Sequence, residues 1–318
     1  MLGDDAGDGA SRWPLEALRP VESQEGFRGK VRQIKEHISS GDTYQVNLSQ
    51  VFRASWCDGA GPETDAELGR LARSMFRDLR QRAPASMGAL VETEAGWLIS
   101  NSPERLISVR LGGGKEADIA VSSPIKGTRR RHRDPAEDAR ARRELAACPK
   151  ERAEHVMIVD LVRNDLGRCA RPGTVRADRT PRMVSLPTVH HLVTDVRCEL
   201  RAGWSLGELV RSVFPGGSVT GAPKRRTMEI IETLESGPRE VYCGAIVVLH
   251  DDGFDLSIPI RTGILDRTGM WLRSGGGIVA DSDPERERIE TETKTLAFDP
   301  SRQGASPDDQ KPVSFQGV

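Results

Sequence analysis

Aromatic side chains are scarce in this 318-residue chain, at 4% of residues, and none interleaves with its main arginine cluster. That excludes the stacking platforms on which single-stranded nucleic acid is bound. An excess of one charge is lacking too. With 46 Lys and Arg against 47 Asp and Glu, the formal net charge is −1, so no global field gathers nucleic acid or anionic membrane, and an anionic ligand needs a local site. Cysteines are few: Cys57, Cys148, Cys169, Cys198 and Cys243 are dispersed and show no CxxC spacing, which argues against a disulfide framework and a structural zinc site. No apolar run approaches the roughly 18 residues of a membrane span. The opening MLGDDAGDGA is acidic and glycine-rich where a signal peptide is basic and then apolar. The expectation is a cytoplasmic protein with reduced thiols.

What is present is enough to fold: a hydrophobic content of 37% over this length fills one large domain or two ordinary ones. Residues 1–24 and the tail 299–318 mix Gly, Asp, Pro and Ser without hydrophobic period, so they are expected outside a folded region of 25–298. Phe27, Val31, Ile34 and Ile38 keep helical spacing up to Gly41. A strand follows, with Gln45, Asn47 and Ser49 on one face, toward a cavity, and Tyr44, Val46 and Leu48 packed on the other. Leu68, Leu71, Met75 and Leu79 mark a second helix. Short strands are expected at 87–91, 97–100, 106–109 and 119–122, then helices at 135–145 and 150–166, strands near 175 and over 189–200, and helices at 206–213 and 223–234. The chain closes with strands at 241–249, 254–264 and 270–273 and a helix at 284–298. Strands and helices come in runs and do not alternate one for one, which predicts an α+β fold with antiparallel sheets.

Two acidic pairs, Glu151 with Glu154 and Glu287 with Glu290, each stand at i, i+3 on one helical face. Four carboxylates on two helices could hold a hard cation such as Mg²⁺. Solvated helix faces show the same spacing, and Lys294 after Glu290 fits a simple surface ion pair equally well. Ser274-Gly275-Gly276-Gly277-Ile278, placed between a strand and the last helix, is either a flexible turn or a set of backbone N–H groups converging on a carboxylate or phosphate. The run 214–224 is not a phosphate loop: Ala222-Pro223 intervene before Lys224, and Arg225 stands where Ser or Thr is required. Ser123-Pro124-Ile125-Lys126 matches S-x-x-K without the S-D-N and K-T-G that accompany it in acyl-serine enzymes. Lys126 is therefore either a surface-loop lysine or a desolvated nucleophile. The seven arginines from Arg129 to Arg143 are interspersed with acids and read as a solvated segment. Adjacent His190 and His191 on a strand face opposite ways, which excludes a paired-histidine metal site.

Taken together, GDTYQVNLSQ (41–50), SPERL (102–106), PIKGTR (124–129), ERAEHVMIVDLVRNDLGR (151–168), VHHLV (189–193), FPGGSVTGAPK (214–224), IPIRTG (258–263) and SGGGIVADSDPERERIETETK (274–294) strongly resemble the chorismate-utilising enzymes. That family includes the anthranilate, aminodeoxychorismate, isochorismate and salicylate synthases. The resemblance covers roughly 25–298 and implies an antiparallel β-sheet sandwich with helices packed outside. It implies that Glu154 and Glu290 ligate Mg²⁺, supported by Glu151 and Glu287, and that the metal grips the ring carboxylate of chorismate. Tyr242, Arg261 and the amides of Gly275, Gly276 and Gly277 would hold the enolpyruvyl carboxylate, with Lys294 nearby. His191 and Thr128 would contact the ring or its departing oxygen, and Glu104 would be the general acid.

Within the family, the resemblance disfavours the water-adding branches, which carry a lysine where this chain has Gln45. Lys126 resembles the lysine of aminodeoxychorismate synthase component I, which attacks the ring at C2 before ammonia adds at C4; anthranilate synthases usually have alanine there. The implied function is formation of 4-amino-4-deoxychorismate, the precursor of p-aminobenzoate, with an anthranilate synthase as the alternative enzyme and a non-catalytic chorismate-binding subunit as the alternative of another class. No cysteine sits in a nucleophile-elbow context, so ammonia is expected from solution or from a partner glutamine amidotransferase. Forty residues precede the GDTYQ block, against a much longer N-terminal portion in most family synthases, so the fold is expected to be N-terminally shortened.

Overall fold

The structure, a computed structural model, describes residues 13–59, 61–114, 116–185 and 189–300, apart from the side chains of Thr128 and Lys150. Strand β1 (Arg19–Pro20) leads to helix α1 (Gln24–Ser39), where Ser23 accepts from the Gly26 N–H at 3.1 Å and caps the first turn. Next comes β2 (Gln45–Ser55), then α2 (Asp65–Arg82), opened by a capping box between Thr64 and Glu67. Five strands follow: β3 (Met87–Thr93), β4 (Gly96–Ser102), β5 (Arg105–Arg110), β6 (Ile119–Ser122) and β7 (Ile125–Arg130). Two consecutive helices, α3 (Pro135–Ala147) and α4 (Pro149–Gly167), both carry proline in the first turn, where its missing N–H costs nothing. After β8 (Arg176–Ala177), β9 (Arg182–Ser185), β10 (Val189–Val193) and β11 (Val196–Glu199) come α5 (Leu206–Val213), β12 (Gly221–Ala222) and α6 (Lys224–Leu234). The last portion is β13 (Ile246–His250), β14 (Gly253–Ser257), β15 (Thr262–Asp266), β16 (Gly269–Ile278) and α7 (Pro284–Thr295).

Every pairing among these strands is antiparallel. One sheet runs β1-β2-β16-β15-β4-β3 with β12 also on β2, a second runs β13-β14-β5-β6-β11-β8, and a small third runs β7-β10-β9. The α+β expectation holds. Three apolar clusters bind the layers. Val159, Leu166, Leu209 and Val213 from α4 and α5 pack on Ile107, Val109 and Leu256 of the second sheet. Helix α2 lays Leu68, Ala72, Met75 and Leu79 against Phe52, Ile99, Leu265 and Leu272 of the first. Helices α1 and α6 cover Val46, Leu48 and Ile278.

Several expectations shift. Trp13 and Leu15 are buried in the α2 cluster, so the core begins well before residue 25. Residues 1–12 and 301–318, part of the expected flexible ends, lie outside the described residues. The span 189–200 is two strands in different sheets, and 254–264 is broken between β14 and β15. Residues 241–245 precede β13 as a turn. Strand β2 is buried on both faces from Gln45 to Gln50, so its polar face is not an open cavity wall. Lys126 lies on strand β7, not in a loop, and Gly275–Gly277 lie inside β16, not in a turn after it. Local sequence could not show this. Glycine lowers intrinsic strand preference, and here ten residues of pairing with β2 override it.

Candidate active site

Glu104 sits in the two-residue link between β4 and β5, fixed on three sides. Its N–H donates to Ser102 Oγ at 3.2 Å, its carbonyl accepts from the Ile258 N–H at 3.1 Å, and its Oε1 accepts from Ser218 Oγ at 2.8 Å. Burial pushes this carboxyl up, against the opposing pull of Ser218 and of the charges on Lys126, Arg261 and Lys294. Lys126 reaches the same hollow from β7. Burial pushes its ammonium down, while the carboxylates of Glu104, Glu154 and Glu290 resist that shift. Although solvent reaches part of its side chain, the protein atoms packed around the ammonium desolvate it, and desolvation prevails. Burial thus makes the acid hold its proton more tightly and the amine release its own more readily.

His191 lies opposite Thr128 in the β7–β10 ladder, with Nδ1 3.3 Å from the Gly127 carbonyl oxygen, and burial lowers its pKa. The Thr128 side chain lies outside the described residues. His190 turns to the other face, between Ser185 Oγ at 2.8 Å and Asp138 at 3.1 Å, as strand alternation requires. Ser123 of the S-x-x-K run donates to Asp195 at 2.6 Å and takes no part in the hollow.

The four helix carboxylates approach from two sides. On α4, Glu154 acts electrostatically on Lys126, and Glu151 pairs with Arg129 at 3.0 Å. Glu151 Oε2 would stand 3.2 Å from a Cβ at Gly127, whose φ of +76° also suits glycine. On α7, Glu287 accepts from Ser282 Oγ at 2.6 Å and Glu290 pairs with Lys294 at 2.7 Å. A Cβ at Gly276 would come within 3.2 Å of Glu287 and 3.5 Å of Glu290, so the bare glycine strand is the floor beneath both. Among the described residues no three carboxylate, histidine or cysteine groups form a ready-made metal cage. Mg²⁺ takes one or two protein carboxylates, several waters and an anionic substrate, and Glu154 with Glu290, one from each helix and both acting on Lys126, fit that requirement.

Strand β16 outruns β15. Their pairing ends at Leu272, while β16 continues on β2 through Gly275↔Ser49, Gly276↔Leu48 and Gly277↔Asn47. The Gly275 carbonyl accepts from Lys294 Nζ at 2.8 Å and so points away from β2. In an antiparallel ladder a residue's N–H and C=O point the same way, which turns the Gly275 and Gly277 amides toward the open edge and Gly276 toward β2. Tyr242 is buried with its hydroxyl on this strand, 2.8 Å from where a Cβ on Gly275 would be. Arg261, at φ +49°, borders the open cleft, close enough for its charge to act on Glu104 and His191. Gln45 is fully buried over Gly277, and among the described residues neither amide atom has a hydrogen-bond partner. Buried polar groups are normally satisfied, so this orphaned, solvent-excluded amide is where an enclosed water or ligand atom would supply the missing bond.

Sequence reading missed Ser218 as the partner of the acid, and it missed a buried hub. Arg239 donates to the carbonyls of Val219 at 2.7 Å and Asn47 at 2.6 Å, binds both oxygens of Glu235 at 2.6 and 2.9 Å, and lies 5.6 Å over the Tyr242 ring. Arg273 completes it with Glu235 at 3.3 Å and the carbonyl of Ser236 at 2.9 Å. The i, i+4 spacing of Glu235 and Arg239 was visible, but such spacing is ordinary on solvated surfaces. Nothing local announces that Glu235 is buried and Arg239 largely withdrawn from solvent.

Residues 5–299 match a family model described as chorismate binding enzyme. The chain is 44% identical over 86% of its length to aminodeoxychorismate synthase component 1 of Klebsiella aerogenes, covering 57% of that protein. It is 39% identical over 87% of its length to anthranilate synthase component 1 of Aquifex aeolicus (strain VF5), covering 52% of it. Its fold superimposes on the crystal structure of anthranilate synthase component I from Streptococcus pneumoniae TIGR4 with a TM-score of 0.78 and 31% identity, across 93% of this chain and 62% of that one. The chain therefore spans little more than half the length of these relatives.

Proposed function

Because this chain belongs to the chorismate binding enzymes, we propose that it aminates chorismate to 4-amino-4-deoxychorismate, as the synthase component of an aminodeoxychorismate synthase. The observation that carries this reading is Lys126, an amine whose proton is loosened by burial, within the field of Glu104, a carboxyl whose pKa burial raises.

Tyr242, Arg261 and the outward amides of Gly275 and Gly277 take one carboxylate of the substrate, with Lys294 beside them. His191 and Thr128 border the ring. Glu154 and Glu290, backed by Glu151 and Glu287, would hold Mg²⁺, which when bound neutralises and orients the other carboxylate. Hydroxide leaves carbon poorly unless protonated, and Glu104 supplies that proton. As the Lys126 nitrogen forms a bond to C2, the ring double bonds shift, the C4–O bond breaks and water departs. Ammonia then bonds to C4, the double bonds shift back, and the C2–N bond breaks to return Lys126 as a neutral amine. Glu104, now a carboxylate, is placed to take a proton from the incoming nitrogen. Gln45 has no basic nitrogen and activates no water, which disfavours an isochorismate-type outcome. A separate glutamine amidotransferase is the natural ammonia source, and the product would serve p-aminobenzoate and folate synthesis.

Purified protein with chorismate, Mg²⁺ and an ammonium salt decides the matter by mass spectrometry. 4-Amino-4-deoxychorismate, converted to p-aminobenzoate only on adding a lyase, is the expected product. Fluorescent anthranilate formed without lyase would replace this reading with the anthranilate one, and binding without any product would leave a chorismate-binding subunit.

A further inference from the structure

A cavity of about 20 Å³ opens beside Glu104, bordered also by Ser122, Asp165 and Ser218. It has room for one water-sized molecule. Asp165 stands on α4 eleven residues after Glu154 (165 − 154), roughly 16 Å further along the helix axis. The cavity thus reaches Glu104 from the side remote from the carboxylates that would hold Mg²⁺.

Its hydrogen bonds are one-sided. Ser122 Oγ already donates to the Leu106 carbonyl at 2.7 Å and Ser218 Oγ to Glu104 at 2.8 Å, so both hydroxyl protons are engaged and only their lone pairs remain. Asp165 Oδ2 receives Lys224 Nζ at 2.7 Å, and among the described residues no hydrogen bond engages Oδ1. Arg105 also borders the space, but its guanidinium pairs with Asp255 at 3.1 Å. Asp165 and two hydroxyl oxygens offer acceptors, and Glu104 joins them once it has given up its proton, a set that suits a small occupant that only donates. Water donates two hydrogens; ammonium donates four.

We propose that this cavity is the ammonia subsite, in which ammonium is held by Asp165, Ser122 and Ser218 before it reaches the reacting carbon past Glu104. This rests on the amination reading above. After Glu104 has protonated the departing hydroxyl, its carboxylate takes one proton from ammonium: an N–H bond breaks, an O–H bond forms, and the freed lone pair of ammonia makes the C4–N bond. The amine leaves in its ammonium form, so protons and charge balance over the cycle.

The test is steady-state amination with ammonium chloride as the sole nitrogen source, varied separately from chorismate. Asp165→Asn is expected to raise the KM for ammonium about tenfold, the loss of one charged hydrogen bond, and that for chorismate less than about twofold. Ser122→Ala, which leaves the Lys224 ion pair intact, shifts the ammonium constant in the same direction. An unchanged ammonium KM in both variants, or an equal rise in both constants, overturns the subsite. If the wild-type protein makes no aminated product, the amination reading falls, and crystals soaked in thallous ion, a monovalent cation of ammonium's size, judge the subsite alone. Anomalous density between Asp165 and Glu104 sustains it; water there and no thallium overturns it.

Discussion

Two side chains define this site through the same physical cause acting in opposite directions. Burial penalises charge, so it raises Glu104 from its ordinary 4.5 and lowers Lys126 from its ordinary 10.5. The reactive form needs Glu104 protonated and Lys126 neutral. Raising the first and lowering the second both enlarge the fraction of molecules in that form. The expected pH profile of kcat/KM is a bell whose limbs lie closer together than those ordinary values, and limbs found at the ordinary positions would contradict the shared burial. Glu104→Gln, which keeps shape and removes the proton donor, should lower kcat by about 10²–10⁴-fold. Lys126→Ala should abolish any lysine-linked adduct in mass spectra of the working enzyme. Lys126 and Glu104 were visible in the sequence as residues; their shifts were not, because desolvation depends on neighbours brought in from distant elements.

At the scale of elements, the glycine stretch of β16 does what a turn could not: paired to β2 on one edge and free of β15 on the other, it presents ordered amides. Tyr242 lies on this strand, and the Arg239 hub holds that tyrosine, β2 and the turn that carries Ser218 in one arrangement. Arg239→Lys keeps the charge but cannot reproduce the planar fork that meets two carbonyls and a carboxylate. Loss of those bonds should cost about 1–3 kcal/mol in urea unfolding, and the KM for chorismate should rise as Tyr242 loosens. A stability loss with KM unmoved would reduce the hub to a structural role.

For the whole molecule, the hollow lies where the sheets meet: Glu104 comes from the link that joins β4 of the first sheet to β5 of the second, Lys126 and His191 from the small sheet, and the glycine floor from the first. A ligand seated there bridges layers with separate apolar clusters. Chorismate and Mg²⁺ together, at about a hundred times their dissociation constant, should add roughly 2.7 kcal/mol of stability, a rise of about 4 °C in Tm for a chain of this length. Chelation by EDTA should reverse it. Calorimetry in which Mg²⁺ adds nothing to the shift produced by chorismate alone would remove the metal from the site.

The sequence by itself determined the antiparallel α+β class, most helices through their apolar stripes, and, through family resemblance, which residues to watch. These signals are local: a period of 3.6 or 2, a motif of neighbouring letters. It left a turn open for the glycines of β16, placed no strand at β7, left Trp13 and Leu15 outside the core and missed Glu235, Arg239 and Ser218. Each of those depends on partners far along the chain, such as Ser218 against Glu104, 114 residues away. Only the tertiary structure decided them, because strand pairing, desolvation and the engagement of a donor are properties of the packed neighbourhood and not of the letters beside a residue.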